Sequence, residues 1–127
     1  HVLKAWRATN IEDGGIGHIN IPLLADPTLE IARSYNVVPQ EAESHDDALP
    51  FRGSFIIDEN GILRHQSIND RPVGRSVDEA KRLIQAFQFA DNNPGQVCPI
   101  NWKPGQQSMG NTTETAKDYF TNIMAKK

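Results

Sequence analysis

The spacing of apolar positions changes several times along the chain, and each change marks an element. Leu3 and Trp6 stand three apart, as on one face of a helix. That helix is expected to end near Asp13-Gly14-Gly15-Ile16-Gly17, where glycine admits backbone conformations and close approaches that side chains prevent. Ile21-Pro22-Leu23-Leu24-Ala25 is a short apolar run that predicts a buried strand with proline at its start. Asp26-Pro27 opens a further helix, with Asp26 as N-cap and Pro27 in the first turn. Ile31, Ala32 and Tyr35 recur there at helical spacing, and Asn36 is the expected C-terminal cap. Residues 40–50 are polar, acidic and flanked by proline, which reads as a surface loop.

Residues 53–58 and 62–68 are apolar, strand-like runs on either side of Glu59-Asn60-Gly61, the strongest local signal for a β-hairpin. Ser76-Val77-Asp78-Glu79 is a capping box and predicts a helix over 76–90. Val77, Ala80, Leu83, Ile84 and Phe87 would form its apolar face, with Lys81, Arg82 and Gln85 turned to water. After Asn92-Asn93-Pro94-Gly95 the apolar pattern fails. Residues 96–112 hold Pro, Gly, Gln, Ser and Asn with few apolar residues, which predicts an extended arm. A last amphipathic segment, 113–124, carries Ala116, Tyr119, Phe120, Ile123 and Met124 and is expected to dock as a helix with few ties to the body. Helix-like and strand-like segments thus alternate, which argues an α/β fold. The predicted strands 21–25, 54–58 and 62–68 are expected to share a sheet with helix 76–90 on one face, and the domain boundaries are 1–95 for the core and 96–127 for the extension.

Composition narrows the function. The chain has 127 residues, the size of one domain, and a net charge of −3 with both signs mixed. Without a basic run, neither nucleic acid nor an anionic membrane is an expected partner. The first residues show no initiator Met, signal pattern or transit-peptide bias and enter directly into a helical pattern, so a further N-terminal part is expected. His1, His18, His45 and His65 lack any short metal-ligand spacing, and no metal or other cofactor is implied.

Cys98 is the only cysteine, in Gln96-Val97-Cys98-Pro99-Ile100-Asn101-Trp102-Lys103-Pro104-Gly105. One thiol cannot close a disulfide within its own chain, so a redox role requires a sulfur from another chain. A free cysteine can equally be a small hydrophobe in a packed site.

The chain resembles the C-terminal two-thirds of a typical two-cysteine peroxiredoxin. The residues that carry the likeness are Gly14-Gly15-Ile16-Gly17, Ile21-Pro22-Leu23-Leu24-Ala25-Asp26, Arg52-Gly53-Ser54-Phe55-Ile56-Ile57-Asp58, Asn69-Asp70-Arg71-Pro72-Val73-Gly74-Arg75-Ser76-Val77-Asp78-Glu79, Val97-Cys98-Pro99, Trp102-Lys103-Pro104-Gly105 and Tyr119-Phe120. The segment 37–51 is about five residues longer than the family's usual loop, and the Pro-x-x-x-Thr-x-x-Cys motif of the peroxide-attacking cysteine is absent from this chain.

The resemblance implies a thioredoxin-like α/β fold with an incomplete central sheet, and a thiol peroxidase acting on hydrogen peroxide and organic hydroperoxides in antioxidant defence. It implies Arg52 as the arginine that holds the thiolate and polarises the peroxide, since a guanidinium keeps its charge and presents fixed donors. Arg75 would support that network. Cys98 would be the resolving cysteine, which condenses with the sulfenic acid of another subunit to form a disulfide that thioredoxin or a similar dithiol protein reduces. Gly14, Gly15, Ile16 and Gly17, with Tyr119 and Phe120, resemble the motif pair associated with overoxidation sensitivity, and Trp102 is expected to pack the arm. The implied assembly is a homodimer or ring of dimers, such as a decamer; the expected compartment is the cytoplasm, with organellar targeting left open by the N-terminal part that this chain lacks. The chain by itself would be inactive. A chaperone-like holdase and a non-catalytic thioredoxin-like binding domain are the competing readings.

Overall fold

Asp58 organises the turn that joins the two longest strands. Its Oδ1 accepts from the backbone N–H groups of Asn60 at 3.0 Å and Ile62 at 2.9 Å, while its carbonyl accepts from Gly61 N–H at 3.0 Å. Gly61 takes a positive φ of 79° but Asn60 does not, so the Asn-Gly pair forms a loop with a left-handed glycine rather than a two-residue turn with both positions left-handed. On either side run β1 (Arg52–Ile57) and β2 (Leu63–Asn69), an antiparallel pair with Arg52 opposite Asn69 and Phe55 opposite Gln66.

The structure is a computed structural model that describes residues 1–39 and 49–125, in two compact units divided between Pro50 and Phe51. Most of the loop expected over 40–50 therefore lies outside the described residues.

In the first unit, α1 (Val2–Ala8) is followed by a 3₁₀ turn, Ile11–Asp13. The indole N–H of Trp6 donates to the Gly14 carbonyl at 3.0 Å and ties the glycine loop to the helix. At Gly15 a β-carbon would collide with the Thr9 carbonyl oxygen, so the close approach of two backbones there requires glycine. The short helix α2 (Glu30–Ser34) begins later than the Asp26-Pro27 signal predicts. Asp26 nevertheless serves it: the carboxylate reaches the N–H groups of Ile31 at 3.2 Å and Ala32 at 2.8 Å, which have no partner inside the helix. Asn36, at φ 54°, closes α2 as expected, with its N–H on the Arg33 carbonyl and Val37 N–H on the Ala32 carbonyl, a Schellman motif.

Residues 21–25 do not form the expected strand. Ile21 is 65% exposed and Leu24 77%, and no described segment pairs with this run. An extended segment becomes a strand only when its backbone groups find a neighbour, and apolar composition alone does not supply one.

The second unit continues from the hairpin into α3 (Val77–Asn92), which Ser76 caps by accepting from Glu79 N–H at 3.1 Å. Arg64 of β2 fastens α3 to the hairpin. Its guanidinium meets Asp91 at 3.0 and 2.9 Å and Asp58 at 3.3 Å, and lies 4.8 Å from the centre of the Phe87 ring. Beyond α3, β3 (Gln96–Val97) pairs antiparallel with β4 (Met109–Gly110), and α4 (Thr113–Met124) follows. Thr112 and Thr115 cap α4 reciprocally, and the helix crosses so close to β4 that a β-carbon on Gly110 would strike the Thr115 side chain.

Residues 96–112 therefore fold back onto α3, which corrects the expectation of an extended, outward-reaching arm. The cause is one aromatic side chain. Trp102 is 2% exposed, its ring centre stands 4.7 Å from that of Phe89, and its indole N–H donates to the Gln106 carbonyl at 3.1 Å. A largely polar segment still packs when a single large side chain finds a site on the neighbouring helix.

Replacing Trp102 with Ala should cost about 3–5 kcal/mol, the usual loss for emptying such a site. Ile100→Ala, at a position 90% exposed, should stay within about 0.5 kcal/mol of the native chain. Urea unfolding followed by circular dichroism separates the two, and equal midpoints would remove Trp102 as the anchor.

Candidate functional site

Cys98 lies where β3 ends and the chain turns across α3. Its position depends on the helix face made by Arg82, Ala86 and Phe89, residues three and four apart that share one side. The Cys98 thiol donates weakly to the Ala86 carbonyl at 3.6 Å, and Trp102 covers Phe89 three residues further along the helix. Between them the Trp102 backbone N–H donates to the Pro99 carbonyl at 3.0 Å, and Asn101 takes φ 59°, which makes 98–102 a tight turn. A groove of about 460 Å³ opens beside the sulfur, lined by Arg82, Leu83, Ala86, Cys98, Ile100 and Asn101.

The apolar periodicity misplaces Arg82, and also Gln85, which is half-buried; only Lys81 of the three is exposed as expected. Expected in water, the Arg82 side chain is only 21% exposed and grips the Glu79 carboxylate through Nε at 2.6 Å and Nη2 at 2.7 Å. Its Nη1 donates to the Trp102 carbonyl at 3.4 Å. Helix α3 is half-buried on two faces, not one, and Arg82, Ala86, Phe89 and Ala90 form the second. Two signals for it stand in the sequence: Glu79 three residues before Arg82, and the apolar residues Ala86, Phe89 and Ala90 outside the first face. On the first face Ala80, Leu83 and Phe87 are half-buried, whereas Val77 and Ile84 stay exposed.

Burial pushes the Cys98 thiol above its ordinary pKa, and the positive charge of Arg82 pulls partly against that shift. The ion pair with Arg82 holds the Glu79 carboxyl below its usual range. Cys98 is thus a protonated, half-sheltered thiol at neutral pH, which favours slow reaction with free oxidants.

The remaining expected residues fall in three places. Arg52 heads β1, and its Nε donates to the carbonyl of Arg71, in the loop that follows β2. The Asn69 side-chain amide donates to the Gly74 carbonyl at 2.8 Å and draws that loop in, so Arg52 and Arg75 belong to the same end of the hairpin. Both are exposed, and neither has a carboxylate partner among the described residues. Gly14, Gly15, Ile16 and Gly17 form the loop held by Trp6 in the first unit. Tyr119 and Phe120 stand on α4 in the second, edge to face with ring centres 5.6 Å apart. His45 lies outside the described residues, and no cluster of His, Cys, Asp and Glu able to hold a metal occurs among the described ones. No helix is long and apolar enough to cross a membrane, again among the described residues.

Comparison with known proteins agrees with this architecture. The AhpC/TSA family matches residues 1–66, and the C-terminal domain of 1-Cys peroxiredoxin matches residues 86–122, the segment that holds Cys98. Peroxiredoxin-2 of Rattus norvegicus is 47% identical over 117 residues, covering 92% of this chain and 56% of that protein. The chloroplastic 2-Cys peroxiredoxin of Arabidopsis thaliana is 43% identical over 119 residues, covering 94% of this chain and 43% of that protein. The crystal structure of reduced Plasmodium vivax 2-Cys peroxiredoxin superposes with a TM-score of 0.81 at 39% identity, over 94% of this chain and 58% of that one. The fold is the thioredoxin-like α/β fold of these proteins, with an incomplete sheet. The chain belongs to the AhpC/TSA family of peroxiredoxins, and it spans little more than half the length of the Rattus norvegicus relative.

Because burial raises the Cys98 pKa, its thiolate fraction at a given pH is smaller in the folded chain than in the unfolded one. Iodoacetamide should therefore alkylate Cys98 more slowly at pH 8 in buffer than in urea, by about threefold or more. The rate in buffer should keep rising at pH values where the unfolded chain has levelled off. Equal pH profiles in the two solvents would contradict the half-buried, protonated thiol.

Proposed function

We propose that this chain is the C-terminal part of a thioredoxin-dependent two-cysteine peroxiredoxin, with 1–95 belonging to the core and 96–127 forming an extension that presents Cys98. The observation that carries the reading is the single thiol, held against α3 within a chain of the peroxiredoxin family. In this reading a cysteine outside the 127 residues attacks the peroxide and becomes a sulfenic acid. Arg52 lowers the energy of the thiolate and of the charge that develops on the departing oxygen, because a guanidinium donates from fixed directions and stays charged. Arg75 supports it from the loop tied to the same end of the hairpin.

Cys98 then resolves the sulfenic acid of a second subunit. A half-buried, protonated thiol suits that step, because it reacts slowly with free peroxides and more readily when a sulfenic sulfur is brought to it. Thioredoxin, or another dithiol protein, returns the disulfide to two thiols by exchange. The assembly is a homodimer, or a ring of dimers, in the cytoplasm or an organelle. Gly14, Gly15, Ile16 and Gly17, with Tyr119 and Phe120, set sensitivity to overoxidation, because the more firmly α4 is held in the full-length protein, the slower the local opening that disulfide formation needs.

The test uses the full-length protein. Treated with one equivalent of peroxide, it should form disulfide-linked dimers on non-reducing gels that vanish in Cys98→Ser. That variant should consume the first equivalent yet fail to turn over with thioredoxin. Arg52→Ala should slow peroxide consumption about a hundredfold or more, the scale of losing a charged donor at a reacting oxygen, with the fold intact. The 127-residue chain alone should show no peroxidase activity. Normal thioredoxin-driven turnover in Cys98→Ser would reduce Cys98 to a packing residue.

A further inference from the structure

Arg82 has no part in the peroxidase scheme, yet among the described residues its charge is the one that acts on the Cys98 sulfur. It spends its donors in two directions: a two-point grip on Glu79, one turn back along α3, and a bond to the carbonyl of Trp102, the last residue of the turn that directly follows Cys98. Arg82 and Cys98 line the same groove. We propose that Arg82 is a positioning residue for Cys98: it holds the 98–102 turn against α3 through the Trp102 carbonyl and presents a fixed cation to the sulfur. The proposal rests on the reading of Cys98 as the resolving thiol and assigns the residue that prepares it.

One planar group serves both purposes. The Glu79 carboxylate fixes the plane of the guanidinium, since two parallel bonds leave little freedom of rotation. With that plane fixed, Nη1 meets the carbonyl of Trp102, and the turn cannot lift while Trp102 stays seated on Phe89. A lysine in the same place would keep the charge but lose the fork. The cation also opposes the effect of burial on the thiol. Among the described residues, the charged and titratable groups that bear on this site are Arg82 from α3, which acts on Cys98, Glu79, which partly neutralises Arg82, and His65 of β2, which faces Glu79.

In the resolving step the Cys98 thiol gives up its proton and its sulfur attacks the sulfenic sulfur. The S–S bond forms as the S–O bond breaks, and the departing hydroxide takes a proton to leave as water. The sulfenic sulfur is reduced and the Cys98 sulfur is oxidised, with no other reactant. Arg82 favours the only charged state that Cys98 passes through, the thiolate, and so raises the fraction of time in which it can attack.

The test reads the thiol in this chain directly and needs neither peroxide nor reductant, so its failure would leave the peroxidase proposal standing, and the reverse also holds. The rate of Cys98 alkylation by neutral iodoacetamide is followed against pH. In Arg82→Gln the midpoint should rise and the rate at neutral pH fall about threefold or more. Arg82→Lys should lie between Gln and the native residue. Glu79→Gln keeps an oxygen that can accept from the guanidinium but removes the negative charge, so it should move the midpoint the other way, the cation being no longer neutralised. A merely structural role predicts shifts of the same sign in Arg82→Gln and Glu79→Gln, since both loosen the turn, and that result overturns the proposal. An unchanged or lowered midpoint in Arg82→Gln overturns it as well, as does a Lys variant no different from Gln. If Arg82→Gln fails to fold by near-ultraviolet circular dichroism, Glu79→Gln decides alone: a lowered midpoint supports the cation, and an unchanged or raised one overturns it.

Discussion

The burial of one indole on one helix governs the arrangement of the C-terminal half. Trp102 closes over Phe89 on α3, and that contact brings an otherwise polar stretch back onto the helix. Aromatic side chains bury more apolar surface than any others, so a single one can order a segment with little else to contribute. With Trp102 seated, the turn from 98 to 102 tightens, Cys98 settles beside the Ala86 carbonyl, and the chain returns through β4 to start α4. The location of the only thiol is a consequence of packing four residues away.

That packing determines what kind of thiol Cys98 is. A cysteine at the tip of a solvated arm would titrate as a free thiol and meet any oxidant. Here the surrounding helix raises the cost of the thiolate, while the nearby guanidinium of Arg82 returns part of it. The balance produces a sulfur that rests protonated rather than a strongly activated thiolate. The hairpin end that carries Arg52 and Arg75 is built separately, by Asn69 and the Arg71 carbonyl. Arg52 and Arg75 are thus held by a different set of bonds from those that hold Cys98.

Arg64 and Arg82 show how one residue type does two jobs on one helix. Arg64 joins the hairpin to α3 by bridging Asp58 and Asp91 with its guanidinium over Phe87, and Arg82 joins the C-terminal turn to a second face of the same helix. In both, a carboxylate holds the guanidinium and a second bond carries the connection. Helix α3 therefore receives structure on two faces. This is why its apolar residues spread over more of its circumference than one amphipathic stripe requires.

The local elements are legible in the amino-acid order because local chemistry decides them. Ser76 caps α3, Asn36 closes α2 in a left-handed conformation, Gly61 turns the hairpin, and α4 occupies the residues that its periodicity marks. The motifs around Arg52, Arg75 and Cys98 likewise point to the family from residue order alone. What the sequence by itself leaves open, or places wrongly, depends on partners distant along the chain. Residues 21–25 have the composition of a strand but no described neighbour to pair with, residues 96–112 have the composition of an arm but hold Trp102, and Arg82 has the periodicity of a solvent-facing residue but sits over the turn of Cys98. Propensity and capping act within a few residues and can be read in order. Pairing of strands, burial of a ring and the charge beside a sulfur are contacts across the fold, and only the tertiary structure could decide them.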